Sequence, residues 1–297
     1  RRALYAFLAE HGVAHEKCGK LVVAMDEAEA GRLVSLFRQA QANGVEGLSL
    51  LTGAEVERLE PGVRAVAALH SAETGIVDSH GLMLALLGEV EARGGLLALR
   101  TPMVAAGALR GGGFRISAGG VEPTEVTARR LVVAAGLGAQ TAAAAIKDYP
   151  QSAIPALHMA KGVYFRLNLR SPFSRLIYPQ PVPGGLGTHF TRDLSDRGRF
   201  GPDVEYVHSE NYEVDPTRAS QFYQAVRRYW PELPDGALEP DYAGIRPKIH
   251  GPGEPQLDFR IDGPEVHGMR SLTVLFGIES PGLTCSLAIG ERIAQSA

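Results

Sequence analysis

Arg130-Leu131-Val132-Val133-Ala134-Ala135-Gly136-Leu137-Gly138-Ala139 passes from a continuous apolar run into a glycine turn and then into an alanine-rich stretch. A short apolar run without alternation predicts a strand buried on both faces, and the alanines after the turn predict a helix. Phe276-Gly277-Ile278-Glu279-Ser280-Pro281-Gly282-Leu283-Thr284 ends a second unit of the same kind. There a strand is expected over Leu272–Phe276 and a helix over Gly282–Gln295. Ligands of such units sit at the carboxyl ends of the strands, where loop backbone meets a helix start.

Between the two units the pattern changes. Lys161–Leu167, Leu176–Tyr178 and Leu186–Thr191 read as antiparallel strands with long Pro- and Gly-rich connections, and Gly244–Ile249 and Leu257–Ile261 as two more. Pro216–Tyr229 is expected as a helix with proline at its first position. Upstream, Arg1–His11 is expected as a helix and Lys20–Met25 as a strand. Asp26 with Glu29 and Thr52 with Glu55 form capping-box patterns. Ser79 is expected to cap a helix running to Arg93-Gly94-Gly95, followed by strands over Leu96–Leu99, Val104–Leu109 and Phe114–Ser117. The expected fold class is mixed α/β (α+β). A Rossmann-like nucleotide-binding layer is left, an antiparallel sheet is built, and the layer is re-entered.

Composition narrows the function classes. Of the 297 residues 45% are hydrophobic and 21% charged, a globular balance that excludes a disordered chain. A net charge of −3 disfavours nucleic acid as a partner. Cys18 and Cys285 are too far apart in sequence for metal-ligand spacing, and no metal site is expected. The low cysteine content points to a reducing, cytoplasmic setting. No uncharged apolar run reaches membrane-spanning length, which leaves peripheral membrane contact open.

Four constellations carry chemistry. The amides of Gly282, Leu283 and Thr284 at a helix start favour an anionic ligand atom, although a plain capped helix start uses the same residues. Gly136 lets backbone approach a ligand closely, although Thr141 stands where a full G-x-G-x-x-G would have its third glycine. In Tyr242-Ala243-Gly244-Ile245-Arg246-Pro247-Lys248 the two cations share one strand face and are able to grip one acid, or to remain solvated edge charges. In Gly187-Thr188-His189-Phe190-Thr191, His189 and Thr191 share a face. A histidine there suits proton transfer from a hydroxyl, or serves as a hydrogen-bonded structural residue.

Taken with Lys17-Cys18-Gly19-Lys20-Leu21-Val22-Val23-Ala24, Thr74-Gly75-Ile76-Val77-Asp78, Lys161-Gly162-Val163-Tyr164-Phe165 and Ile177-Tyr178-Pro179, these motifs resemble the D-amino-acid-oxidase-type FAD-dependent oxidoreductases. More closely, they resemble the L-2-hydroxyglutarate dehydrogenase (oxidase) family. The resemblance runs along essentially the whole chain. It implies a non-covalent FAD and oxidation of the C2 hydroxyl of a small 2-hydroxy (di)carboxylate to a 2-oxo acid by hydride transfer to flavin. The electron acceptor would be oxygen or a quinone chain. On the cofactor side it implies Val104, Ala135, Gly136, Gly244, Gly277, Glu279, Ser280, Pro281, Gly282, Leu283 and Thr284. On the substrate side it implies Arg246 for the carboxylate, His189 as base, and Lys161, Tyr164, Tyr178, Thr191 and Lys248 as helpers.

The implied division assigns 1–19, 72–146 and 268–297 to FAD binding and 20–71 and 147–267 to the substrate domain. The family pattern opens with a strand, a G-x-G-x-x-G turn and an acidic ribose partner that are missing here. About 70 further residues are therefore expected ahead of Arg1, by domain anatomy. Thr188 also stands where an apolar residue is expected in this motif. The same scaffold would serve oxidation of an amino acid or amine, and a non-catalytic acid-binding chain is the reading from another class.

Overall fold

The structure, a computed structural model, describes residues 1–180 and 187–295, so the first residue of the expected strand Leu186–Thr191 lies outside the described residues. Along the chain come α1 (Arg2–Glu10), β1 (His15–Glu16), β2 (Lys20–Ala24), α2 (Glu27–Ala42), β3 (Leu48–Thr52), α3 (Gly53–Leu59), β4 (Ala67–Ser71), β5 (Ile76–Val77) and α4 (Ser79–Ala92). A meander of β6 (Met103–Ala108), β7 (Phe114–Ala118) and β8 (Thr124–Ala128) follows, then β9 (Leu131–Val133) and α5 (Ala139–Ala144). Next are β10 (His158–Leu167), β11 (Leu176–Pro179), β12 (His189–Arg192), β13 (Gly198–Gly201), β14 (Glu205–Val207), α6 (Ala219–Arg227) and β15 (Leu238–Lys248). The chain closes with β16 (Arg260–Asp262), α7 (Pro264–His267), β17 (Leu272–Phe276) and α8 (Gly282–Gln295).

Two sheets position the site. The large one has the order β14-β10-β13-β12-β11-β2-β4-β3, with β15 along the other edge of β10. It is antiparallel except where β11 lies parallel to β2, with Tyr178 opposite Val22. Alternation divides its strands cleanly. Leu21, Val23, Val163, Phe165, Ile177, Phe190 and Phe200 point to one face and pack with Phe222, Val226 and Tyr229 of and beyond α6. Each of these large apolar side chains contributes about 1.5–3 kcal/mol by leaving water. The opposite face is partly covered at its β2–β4 end by α2, through Leu33 against Ala24 and Leu69. The rest of that face carries polar and aromatic side chains.

The second sheet has the order β16-β17-β9, with β9 parallel to β17. Val133, Val274 and Phe276 pack with Ala139 and Ala143 of α5, so strand, turn and helix form one unit as expected. β16 joins this sheet by antiparallel pairing with β17. Among the described residues no helix is long and apolar enough to cross a membrane, and no cluster of His, Cys, Asp and Glu is suited to a metal.

Three local expectations are corrected. β9 is not buried on both faces: Val132 is 45% exposed and lines a cavity of about 380 Å³ with Thr273, Gly290 and Arg292, while Leu131 and Val133 face the α5 side. Leu96–Leu99 forms no strand, and Leu96 is 93% exposed, because no strand among the described residues pairs with that segment. Asp78 rather than Ser79 caps α4, accepting from the Gly81 amide at 3.0 Å. The Thr52–Glu55 capping box forms in both directions, and Asp26 accepts from the Glu29 amide.

Candidate active site

Parallel pairing brings the carboxyl ends of β9 and β17 to the same side, and the segments that follow them meet β15 there. After β9, Ala135 and Gly136 are exposed. Gly136 adopts φ +55° with nothing within 4 Å of where a Cβ would stand. That is a left-handed conformation costing a glycine little, and it leaves bare backbone at a strand end. After β17, Gly277 at φ +70° fits closely under Ile249, 3.1 Å from the position of a Cβ. At the start of α8 the Gly282 amide is already taken by the Glu279 carbonyl and the Cys285 amide by that of Pro281. Of the three amides expected to face a ligand, Leu283 and Thr284 therefore remain unpartnered among the described residues, and Gly282 does not. Gly244 of β15 likewise has open space at its missing Cβ.

These features fit an extended, partly anionic dinucleotide: bare backbone at Gly136 and Gly244, and two free amides at the positive end of a 14-residue helix. Val104 stands apart from them on the meander. It lies at a break in the β6–β7 register, so its backbone is free of that ladder. The 380 Å³ cavity opens instead at the amino ends of β9 and β17, away from this cradle.

The polar face of the large sheet supplies the second half. Register places Arg246 opposite Ala160 and Gly244 opposite Gly162, so Arg246, Lys248 and Gly244 share a face with Tyr164. Glu279, with its side chain largely buried, reaches across from the loop after β17. It accepts from Lys248 Nζ at 2.7 Å and lies 3.8 Å from Arg246 Nε. Two cations and one carboxylate leave a net charge of +1 there, and the longer contact leaves Arg246 the freer of the two to take an acid.

Tyr164 lies flat on β13, because Gly201 at φ +144° has no side chain to hold it off. A Cβ there would sit 2.7 Å from the Tyr164 ring. The ring stacks on Tyr242 at 4.6 Å, and Arg199 lies over the other ring of the pair at 5.5 Å. Burial pushes the Tyr164 hydroxyl far above the ordinary tyrosine range; Tyr242 adds to the shift and Arg246 opposes it. Further along the face, His189 is 6% exposed and stacks on Tyr178 with centroids 3.6 Å apart and planes 10° from parallel. Burial raises the Tyr178 hydroxyl as well. Thr191 shares this face through the β12–β13 register, opposite Arg199.

The structure therefore brings together Arg246, Lys248, Tyr164, Tyr178, His189 and Thr191, with Gly244 and Glu279 at their border with the nucleotide cradle. It sets Lys161 apart. Lys161 is an odd number of residues from Tyr164, so its side chain leaves the opposite face of β10, where Nζ donates to the Glu213 carbonyl at 2.6 Å. Sequence reading passed over Tyr242, although it stands in the motif that carries Arg246. It also passed over Lys20, whose ammonium lies 4.9 Å from the centre of the Tyr178 ring.

The sequence pattern described as FAD dependent oxidoreductase matches residues 1–296. The mitochondrial L-2-hydroxyglutarate dehydrogenase of Arabidopsis thaliana is 38% identical over 333 residues, covering 99% of this chain and 69% of the plant protein. The L-2-hydroxyglutarate dehydrogenase of Escherichia coli K12 is 24% identical, covering 98% and 76%. Among solved structures, the L-alpha-glycerophosphate oxidase of Mycoplasma pneumoniae with FAD bound superposes with a TM-score of 0.82 at 20% identity, covering 95% of this chain and 73% of that one. Glycine oxidase from Geobacillus kaustophilus gives 0.76 at 19% identity, covering 99% and 76%. At these identities the two structures speak for the fold.

Proposed function

The chain belongs to the FAD dependent oxidoreductase family, and from that premise we propose that it oxidises the C2 hydroxyl of a small 2-hydroxy dicarboxylate, of the L-2-hydroxyglutarate kind, to the 2-oxo acid. One observation supports this over the other chemistries of the scaffold. An arginine suited to holding a carboxylate and a buried histidine occupy a single sheet face, next to the backbone cradle that suits the dinucleotide.

FAD, when bound, supplies the two-electron oxidant that accepts hydride from C2. The chain does the rest. Arg246 takes the carboxylate next to C2 through charge-assisted hydrogen bonds, with Glu279 holding Lys248 and steadying the strand end. His189 receives the C2 hydroxyl proton, so that loss of a proton and a hydride leaves a carbonyl. Its stack on Tyr178 fixes the ring plane, and fixed geometry is what a proton acceptor needs. Tyr164 and Tyr178, kept neutral by burial, offer hydroxyl groups without adding charge. The division into a cofactor part (1–19, 72–146, 268–297) and a substrate part (20–71, 147–267) belongs to the same proposal.

The test is anaerobic bleaching of the flavin-loaded protein's visible bands by L-2-hydroxyglutarate, followed by the same titration with Arg246→Ala. Wild type is expected to bleach, and the variant to need roughly 10- to 100-fold more substrate, the worth of one charge-assisted contact. Wild-type bands that survive the 2-hydroxy acid but bleach with an amino acid would transfer the assignment to the amine-oxidising relatives.

A further inference from the structure

Lys20 has no role in the reading above, yet its surroundings point to one. It opens β2 on the polar face of the large sheet, the face opposite Leu21 and Val23. Burial lowers its pKa below the ordinary lysine value. No carboxylate or hydrogen-bond acceptor is recorded on its ammonium among the described residues: Ser71 stands opposite it on β4 with its hydroxyl paired to that of Thr74, and the Tyr178 ring lies 4.9 Å away. The other two lysines of the large sheet are held, Lys161 by a carbonyl and Lys248 by Glu279. A largely buried ammonium without an anion is costly, and an arriving carboxylate removes that cost.

We propose that Lys20 receives the second carboxylate of the substrate and so makes the site selective for dicarboxylates. The inference rests on the 2-hydroxy acid reading and adds the specificity element to it. Charge supports it: the Arg246, Lys248 and Glu279 group carries +1 and Lys20 carries +1, matching the two negative charges of a dicarboxylate.

Strand order supports it as well. β2 and β15 stand on either side of β11, β12, β13 and β10, and Lys20 leans over the ring of Tyr178 on the next strand inward. His189 and Tyr178, on β12 and β11, lie between the two cationic ends, where C2 and its neighbours would pass. A monocarboxylic 2-hydroxy acid would engage Arg246 and leave Lys20 unmet.

The experiment measures binding of glutarate and of valerate to the flavin-loaded protein by calorimetry, in wild type, Lys20→Gln and Lys20→Arg, with turnover of 2-hydroxyglutarate and 2-hydroxyvalerate alongside. Wild type is expected to favour glutarate by roughly 10- to 100-fold, the worth of a charge-assisted contact. In Lys20→Gln that preference collapses while valerate affinity holds, and in Lys20→Arg most of it returns. A wild type that binds the two acids alike overturns the proposal without any variant. So does a Lys20→Gln protein that loses both acids in parallel, which would mark Lys20 as a support for Tyr178. Glutarate preference that depends on Lys20, without any turnover of 2-hydroxyglutarate, upholds this inference and sinks the oxidase reading. Turnover with a dicarboxylate preference indifferent to Lys20 does the reverse.

Discussion

The two faces of the large sheet are made by the same strands and have opposite chemistry. On β12, Phe190 is fully buried against Phe173 and Phe200, while its neighbour His189 stacks on Tyr178 across the strand plane. On β10, Phe165 meets Phe222 of α6 at 4.7 Å, while Tyr164 stacks on Tyr242 on the other side. One face spends its residues on excluding water. The other holds cations and hydroxyl groups in fixed positions, and it is able to do so because the first face already supplies the stability. A period of two separates the two tasks within a few ångströms.

That division yields graded expectations. The largest effect belongs to the polar face: His189→Asn should slow flavin reduction by roughly 10²–10⁴-fold in stopped-flow measurements while leaving the melting temperature close to wild type. On the apolar face, Phe222→Ala should cost about 3–5 kcal/mol in urea unfolding, with little change in the reduction rate of the molecules that remain folded. A histidine variant that unfolds, or a phenylalanine variant that stays folded and reduces slowly, would break the separation.

The smallest effect sharpens the comparison, because both faces contribute to it. Burial raises the hydroxyl pKa values of Tyr164 and Tyr178 on one side and of Tyr229 on the other. A raised folded-state pKa gives stability that is complete below the ordinary tyrosine value of 10 and is lost as pH climbs from there toward the folded value. Stability should therefore decline above pH 10, and Tyr164→Phe should flatten that decline. An identical slope in the variant would mean that the hydroxyl is in contact with water.

Sequence pattern carried much of this. The strand, turn and helix at residues 131–144 and 272–295 were legible because apolar runs and glycine turns are local signals. The shared face of Arg246 and Lys248, and that of His189 and Thr191, followed from alternation alone. The same alternation argues against grouping Lys161 with Tyr164, and the motif they share obscured a parity that the numbers already held. Glu279 is different. Its reach to Lys248, 31 positions earlier, depends on how the loop after β17 crosses to another sheet, which no local pattern records. Val132 departs from its pattern for a related reason: an apolar run reports what a strand is able to bury, whereas its neighbours decide what it does bury. Lys20 read as an ordinary first residue of a strand, since Tyr178 arrives beside it through a pairing that joins two distant parts of the chain.

That parallel pairing of β2 with β11 also bears on how the protein is made. The helices and hairpins on either side of it are short-range structures that form early, whereas β2 must wait for β11 while much of the chain is still emerging. Until then its Leu21 and Val23 have no complete core to enter, and the edge they form is open to other chains. The contact that places Lys20 over Tyr178 thus waits for residues 176–179, and β9 in turn must wait for β17, so the aggregation-exposed part of assembly extends beyond it.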